Sequence, residues 1–194
     1  EKQIFNKLTF YIMRKFLLTT LLFCLTLLNV NAENIHFDDN IYKLKNVDNN
    51  SSGIENEYYI DGESDKSWSS KVEITYYPEI SNPLKYASDV DKKIATKEDK
   101  LLLKFVQNKK IDIAVLTYLE NEINDDCACF IYNVWKYEKH PEKGIMALRF
   151  AKKYKVNTKE DINKIANQVK MVNDDYMERI IISPIPPIVK NKTE

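Results

Sequence analysis

The chain has 194 residues, of which 44% are apolar, 30% charged and 11% aromatic, and this composition excludes collagen-like, coiled-coil and broadly disordered chains. Basic and acidic residues number 29 each, so there is no electrostatic reason to expect nucleic-acid binding. The three glycines and two histidines are too few, or wrongly spaced, for glycine-rich nucleotide loops and histidine zinc helices.

The N-terminal region carries an export pattern. Residues 13–32 combine two basic residues, an apolar stretch and small residues at the positions that a signal peptidase reads. The apolar stretch is too short to cross a membrane. We therefore predict a signal peptide at 13–32 that is cleaved after Ala32, and residues 1–12 as a non-native upstream segment. The alternatives are a lipoprotein signal that ends at Cys24 and an uncleaved anchor.

The first half of the remaining chain is predicted to contain two strands and one helix. Residues 33–55 are rich in Asp, Asn and Ser and are interpreted as an irregular lead-in. Recurring Tyr, Ile and Val predict strands at 56–60 and 71–77. Asn82 followed by Pro83 predicts the start of an amphipathic helix, since these residues favour the N-cap and the first helical position.

The second half is predicted to contain further strands and a long helix. Strands are expected at 101–106, 112–119 and 127–138, with short polar connectors that are typical of antiparallel neighbours. Residues 145–154 indicate another strand, and a helix is the competing interpretation. Thr158 predicts the N-cap of a final helix, because apolar residues then recur at helical spacing for about five turns.

Together these elements predict the α+β fold class. We expect a mainly antiparallel sheet flanked by amphipathic helices in a single domain at 56–189, followed by a tail at 190–194. The strand at 127–138 has large side chains at both alternating positions. Both faces of that strand are therefore predicted to be covered, with one helix on each side.

Cys127 and Cys129 remain after the predicted cleavage and are candidate redox thiols. In an extended strand their Cα atoms would be about 6.6 Å apart, which is the upper limit for a disulfide. The alternatives are free thiols, which we favour, a strained or intermolecular disulfide, and a metal site. Because a metal site would need further soft ligands, we predict no metal and no cofactor.

Catalytic residue patterns are weak in this chain. Nucleophilic catalysis needs a base beside Ser, Thr or Cys, and His140 precedes a proline in a predicted turn. Acid pairs such as Asp61 with Glu63, or Asp125 with Asp126, are expected by chance in a chain this rich in acids. No catalytic residue is assigned, and a non-enzymatic protein is favoured over an enzyme.

Aromatic residues on or beside the predicted strands indicate a recognition surface. Tyr and Trp provide large, rigid contacts with a polar tip. Trp68, Tyr59 and Trp135 are the candidate binding residues. Trp68 lies in a polar loop and is expected to be partly exposed.

A set of short motifs resembles uncharacterised exported bacterial proteins. These motifs are 56–59, 61–63 with Trp68, 76–78, 133–139, Gly144 and 186–189. The order of strands and helices is also similar to that of PsbP/Mog1-type α+β sandwich domains. That resemblance implies a role in binding and assembly rather than catalysis and transfers no site residues.

The sequence therefore predicts an exported, non-enzymatic binding module of the bacterial cell envelope, periplasmic or secreted. Its partner is expected to be another envelope protein or a surface polymer. No nucleic acid and no stable transmembrane segment after cleavage are expected. The alternative function is a small envelope hydrolase with a carboxylate site.

Overall fold

A computed structural model describes residues 34–124 and 127–190, without the side chains of Asn124 and Cys127. The predicted upstream segment 1–12, the signal peptide 13–32 and its cleavage site lie outside the described residues. The acid pair Asp125 and Asp126 and residues 191–194 of the tail also lie outside them.

Eight strands form one curled antiparallel sheet. They are β1 (Asn34–Phe37), β2 (Asn40–Asn50), β3 (Gly53–Ile60), β4 (Ser70–Tyr77), β5 (Lys100–Asn108), β6 (Ile113–Asn124), β7 (Cys127–Lys139) and β8 (Ile145–Lys155). Their order across the sheet is β1-β2-β3-β4-β8-β7-β6-β5. The pairing of β4 with β8 joins a four-stranded N-terminal meander to a four-stranded C-terminal one.

The predicted α+β class is wrong, because strands dominate the fold and only two helices accompany them in the described residues. Residues 33–55, which the sequence predicts to be irregular, contain β1, β2 and the first residues of β3. Asp38 and Asp39 adopt positive φ angles of 49° and 59°, and they turn the chain between β1 and β2. β2 then pairs with β3 along most of its length. Main-chain pairing thus outweighs the low strand preference of Asn and Asp.

The two helices begin where the sequence predicts. Helix α1 (Pro83–Ala95) has Asn82 as its N-cap, whose side chain accepts a hydrogen bond of 2.9 Å from the Lys85 N–H. Helix α2 (Lys159–Ile182) begins with a capping box, in which Thr158 and Asp161 bond to each other's main chain. In the described ranges, neither helix has the length and apolar character that a membrane span needs.

The helices pack on opposite faces of the sheet. α2 lies on a core that takes side chains from seven strands: Phe37, Tyr42, Tyr58, Val72, Val115, Tyr132 and Phe150. α1 covers the other face over β5, β6 and β7, where Ala87 and Ile94 pack against Leu116 and Tyr137. The prediction that the strand at 127–138 is covered on both faces is confirmed. Residues 145–154 form the predicted strand rather than the competing helix.

The segment after α2 is held against the sheet. The Asn56 side-chain amide donates to the Val189 carbonyl at 2.9 Å, and its carbonyl accepts from the Val189 N–H at 2.7 Å. Ile185 and Ile188 pack against the core beneath α2. The chain is therefore attached to the sheet as far as residue 189.

Candidate functional site

A cavity of about 450 Å³ lies between α1 and the face of the sheet that α1 covers. Its wall includes five aromatic side chains, which we call the aromatic wall: Tyr77, Tyr86, Tyr118, Trp135 and Tyr137. Val90 and Ile94 of α1 add aliphatic surface, and Lys93, Lys97, Asp99 and Lys100 supply charge.

Strand alternation explains why these residues meet. Side chains two positions apart share a face, so Trp135 and Tyr137 both point towards α1. The register of β6 with β7 places Leu116 opposite Trp135, and Tyr118 follows on the same face. On α1, Tyr86 and Val90 are four residues apart and therefore share one side of the helix. The cavity is thus formed by regular elements rather than by loops alone.

The aromatic wall is a connected set of rings. The rings of Trp135 and Tyr137 are parallel within 3°, with centroids 5.7 Å apart. Tyr86 meets Tyr137 edge-on at 5.7 Å, and Tyr77 lies 5.1 Å from Tyr86. The indole N–H of Trp135 donates to the Tyr118 hydroxyl at 3.4 Å. Such a wall offers flat apolar surface together with hydroxyl groups that can form hydrogen bonds.

Two tyrosines of the wall, Tyr77 and Tyr137, are neutral at physiological pH. Burial raises the pKa of Tyr137 well above its usual value, and the neighbouring hydroxyls of Tyr77 and Tyr86 contribute less. Burial also raises the pKa of Tyr77, with a further contribution from Tyr86. These side chains keep their protons and add no negative charge to the cavity.

Positive charge dominates the rim. Lys100 is neutralised by Glu120 at 2.7 Å, and its ammonium group lies 5.4 Å from the centre of the Tyr118 ring. Lys93 and Lys97 are exposed and form no ion pair with any described residue. Asp99 is the one acidic residue among those that line the cavity.

An ion-pair network supports the wall from the neighbouring strands. Arg149 lies 5.3 Å from the centre of the Trp135 ring and donates to Glu73 at 2.5 Å. Two further nitrogens of its guanidinium group donate to the Asn133 side-chain oxygen at 2.9 and 2.6 Å. Lys71 forms a second ion pair with Glu73. Because Arg149 is held on several sides, it fixes the position of Trp135.

Glu55, Glu57 and Glu73 bring their carboxylates within 4.8 Å of one another on β3 and β4. Burial raises the pKa of Glu55, and the charges of Glu73 and Glu57 raise it further. Lys71 pairs with Glu57 at 2.9 Å as well as with Glu73. Two of the three carboxylates are therefore bound by cations, as in a structural ion-pair network rather than an open metal site.

The candidate binding residues from the sequence do not form one site. Trp135 lies in the aromatic wall. Tyr59 is only 1% exposed, so its ring is not accessible to a partner in this structure. Trp68 is half-buried, and the ammonium groups of Lys71 and Lys153 lie 5.4 and 4.4 Å from the centre of its ring.

Among the described residues, Cys129, Asp61 and Glu63 do not line the cavity. Cys129 is 1% exposed and disulfide-bonded, whereas the Cys127 side chain lies outside the described residues. The free thiol that we favour is therefore not the state of Cys129. Asp61 pairs with Lys43 at 2.9 Å on the surface, and its predicted partner Glu63 accepts hydrogen bonds from Ser69.

Sequence reasoning missed Tyr86, Tyr118 and the lysines of the rim. The four-residue spacing of Tyr86, Val90 and Ile94 indicates that these three side chains share one face of α1. Val90 and Ile94 were part of the predicted apolar face of this helix, whereas Tyr86 was not included in it.

Comparisons with known proteins place the chain in a family. No curated protein and no solved structure matches it. The resemblance to PsbP/Mog1-type domains therefore stays a prediction. Residues 28–185 match the model of an uncharacterised protein family, and the chain belongs to that family.

Proposed function

We propose that the protein is an exported, non-enzymatic binding module of the bacterial cell envelope, and that its cavity binds a small ring-containing molecule. The aromatic wall is the observation that carries this proposal. A cavity of about 450 Å³ is within the size range of small-molecule sites. Flat rings stack on aromatic side chains, and tyrosine hydroxyls orient polar substituents. An envelope protein or surface polymer as a further partner stays a prediction from the sequence.

Export is supported by two observations. Residues 13–32 carry the signal-peptide pattern, and Cys129 is disulfide-bonded. Disulfides persist outside the reducing cytoplasm. N-terminal sequencing of the exported protein tests this part of the proposal. A first residue Glu33 agrees with cleavage after Ala32, whereas an intact chain that starts at Glu1 contradicts it.

The hydrolase alternative is less well supported. Glu73 is 4% exposed and is bound by Arg149 and Lys71, and Glu57 is bound by Lys71. A carboxylate that performs acid or base catalysis must reach its substrate. These contacts favour a structural role for the two carboxylates.

Filling the cavity should weaken the binding of a ring compound. We expect Val90→Phe to place a ring in the existing space and to weaken the binding of 2-naphthol at least about tenfold, which corresponds to about 1.4 kcal/mol. Isothermal titration calorimetry on the wild type and the variant measures this effect. 2-Naphthol is neutral and planar, so it tests the aromatic wall without testing the lysines.

The matched control is Val106→Phe. Val106 is 41% exposed on β5 and does not line the cavity. The same change in size at that position should leave the affinity for 2-naphthol unaltered. Equal binding to the wild type and Val90→Phe would contradict the proposed site, as would no binding to the wild type.

A further inference from the structure

We infer that the ring-containing ligand of this cavity is an organic anion, whose carboxylate, sulfate or phosphate group is bound by Lys93 and Lys97. This inference rests on the proposed function, because it names the chemical class of the molecule that the cavity takes. It follows from the charges around the aromatic wall.

The charges at the rim are not balanced by other residues in the described part of the chain. Three lysines and one aspartate line the cavity, and Glu120 neutralises one of the lysines, Lys100. Lys93 and Lys97 find no acidic partner among the residues that the structure describes. Unpaired ammonium groups beside an apolar surface attract an anion, and such a contact is strengthened where a ligand excludes water.

The aromatic wall does not oppose this charge. Burial keeps Tyr77 and Tyr137 protonated, so neither side chain carries a negative charge that would repel an anion. Behind the wall, Arg149 lies against the Trp135 ring. A ligand that presents its ring to the wall and its acidic group to the rim satisfies both parts of the cavity at once.

The helix dipole offers a competing explanation for the lysines. Cations are stabilising near the C-terminal end of any helix, and Lys92 and Lys93 both lie in the last turn of α1. Lys92, however, is exposed and does not line the cavity, whereas Lys93 does. A comparison of Lys92 with Lys93 therefore separates a general effect of the helix end from an effect that is specific to the cavity. Lys92 is the matched control.

The experiment compares naphthalene-2-carboxylate with 2-naphthol on the same protein by calorimetry at neutral pH. The two probes share a ring system, and only the first is an anion. We expect the carboxylate to bind the wild type at least about tenfold more tightly, a difference of about 1.4 kcal/mol. This preference should be lost in the double variant Lys93→Gln/Lys97→Gln and retained in Lys92→Gln. It should also decrease as salt is added.

The outcomes distinguish this inference from the proposed function. Equal binding of both probes to the wild type would overturn the inference and leave the proposed function standing. A preference for the carboxylate that survives in Lys93→Gln/Lys97→Gln would also overturn it, because other groups would then hold the anion. If neither probe binds, both are overturned. Thermal unfolding of each variant is the folding control, and we expect no loss of stability because the three lysines are exposed.

Discussion

The variant Phe150→Ala is expected to unfold with a free energy about 3–5 kcal/mol lower than that of the wild type. Phe150 on β8 is 1% exposed and lies at the centre of the core beneath α2. Its ring centroid is 4.8 Å from that of Phe37 and 5.1 Å from that of Tyr176. Truncation would leave a space between the sheet and α2 that these rings cannot fill without moving.

Urea unfolding followed by circular dichroism measures this change. The control is Ile182→Ala, at the end of α2, where the side chain is 82% exposed. We expect that substitution to cost less than about 1 kcal/mol, since it leaves no buried space. Similar losses for the two variants would show that Phe150 is not the centre of the core described here.

The second large effect is expected at Gly144, which precedes β8. Its φ angle is +86°, and a Cβ atom there would overlap the Tyr77 carbonyl oxygen and lie 2.9 Å from the Pro78 Cα. Gly144→Ala therefore combines an unfavourable backbone conformation with a main-chain clash, and we expect a loss of at least about 3 kcal/mol in the free energy of unfolding. Because Tyr77 belongs to the aromatic wall, the variant should also bind 2-naphthol more weakly.

Gly62 is the matched control for this glycine. Its φ angle is +84°, and no atom lies within 4 Å of a Cβ built on it. Gly62→Ala is therefore expected to cost only about 1–2 kcal/mol, from the backbone conformation alone. If Gly62→Ala and Gly144→Ala lower the free energy of unfolding in urea by the same amount, the close approach of residue 144 to β4 is contradicted.

Features determined by neighbouring residues were predictable from the sequence. The start of α1 follows from Asn82 and Pro83, and the start of α2 follows from Thr158 and Asp161. Each cap depends on bonds within four residues, so local chemistry decides it. The covered strand β7 was also predictable, because Tyr132 and Trp135 lie on opposite faces of the same strand.

Features determined by distant residues were not predictable from the sequence. The strand β2 contains Asn46 and Asp48, which are poor strand residues, and it is stabilised by pairing with β3. Because β1 and β2 were not predicted from the sequence, the predicted fold class was α+β and not one large curled sheet. The candidate site depends on such pairing even more strongly, since Tyr77, Tyr86 and Trp135 come from three separate elements. Their individual side chains were visible in the sequence, but their convergence was not.

The indole N–H signal of Trp135 reports directly on whether the cavity between α1 and the sheet binds a ligand. The chain has two tryptophans, so two indole signals are expected in a ¹H–¹⁵N spectrum, and Trp68→Phe assigns them. We expect naphthalene-2-carboxylate to shift the Trp135 signal in a saturable manner, because this N–H lies in the aromatic wall, and to leave the Trp68 signal in place. A shift of the Trp68 signal alone, or no shift of either signal, would show that the cavity does not bind this ligand.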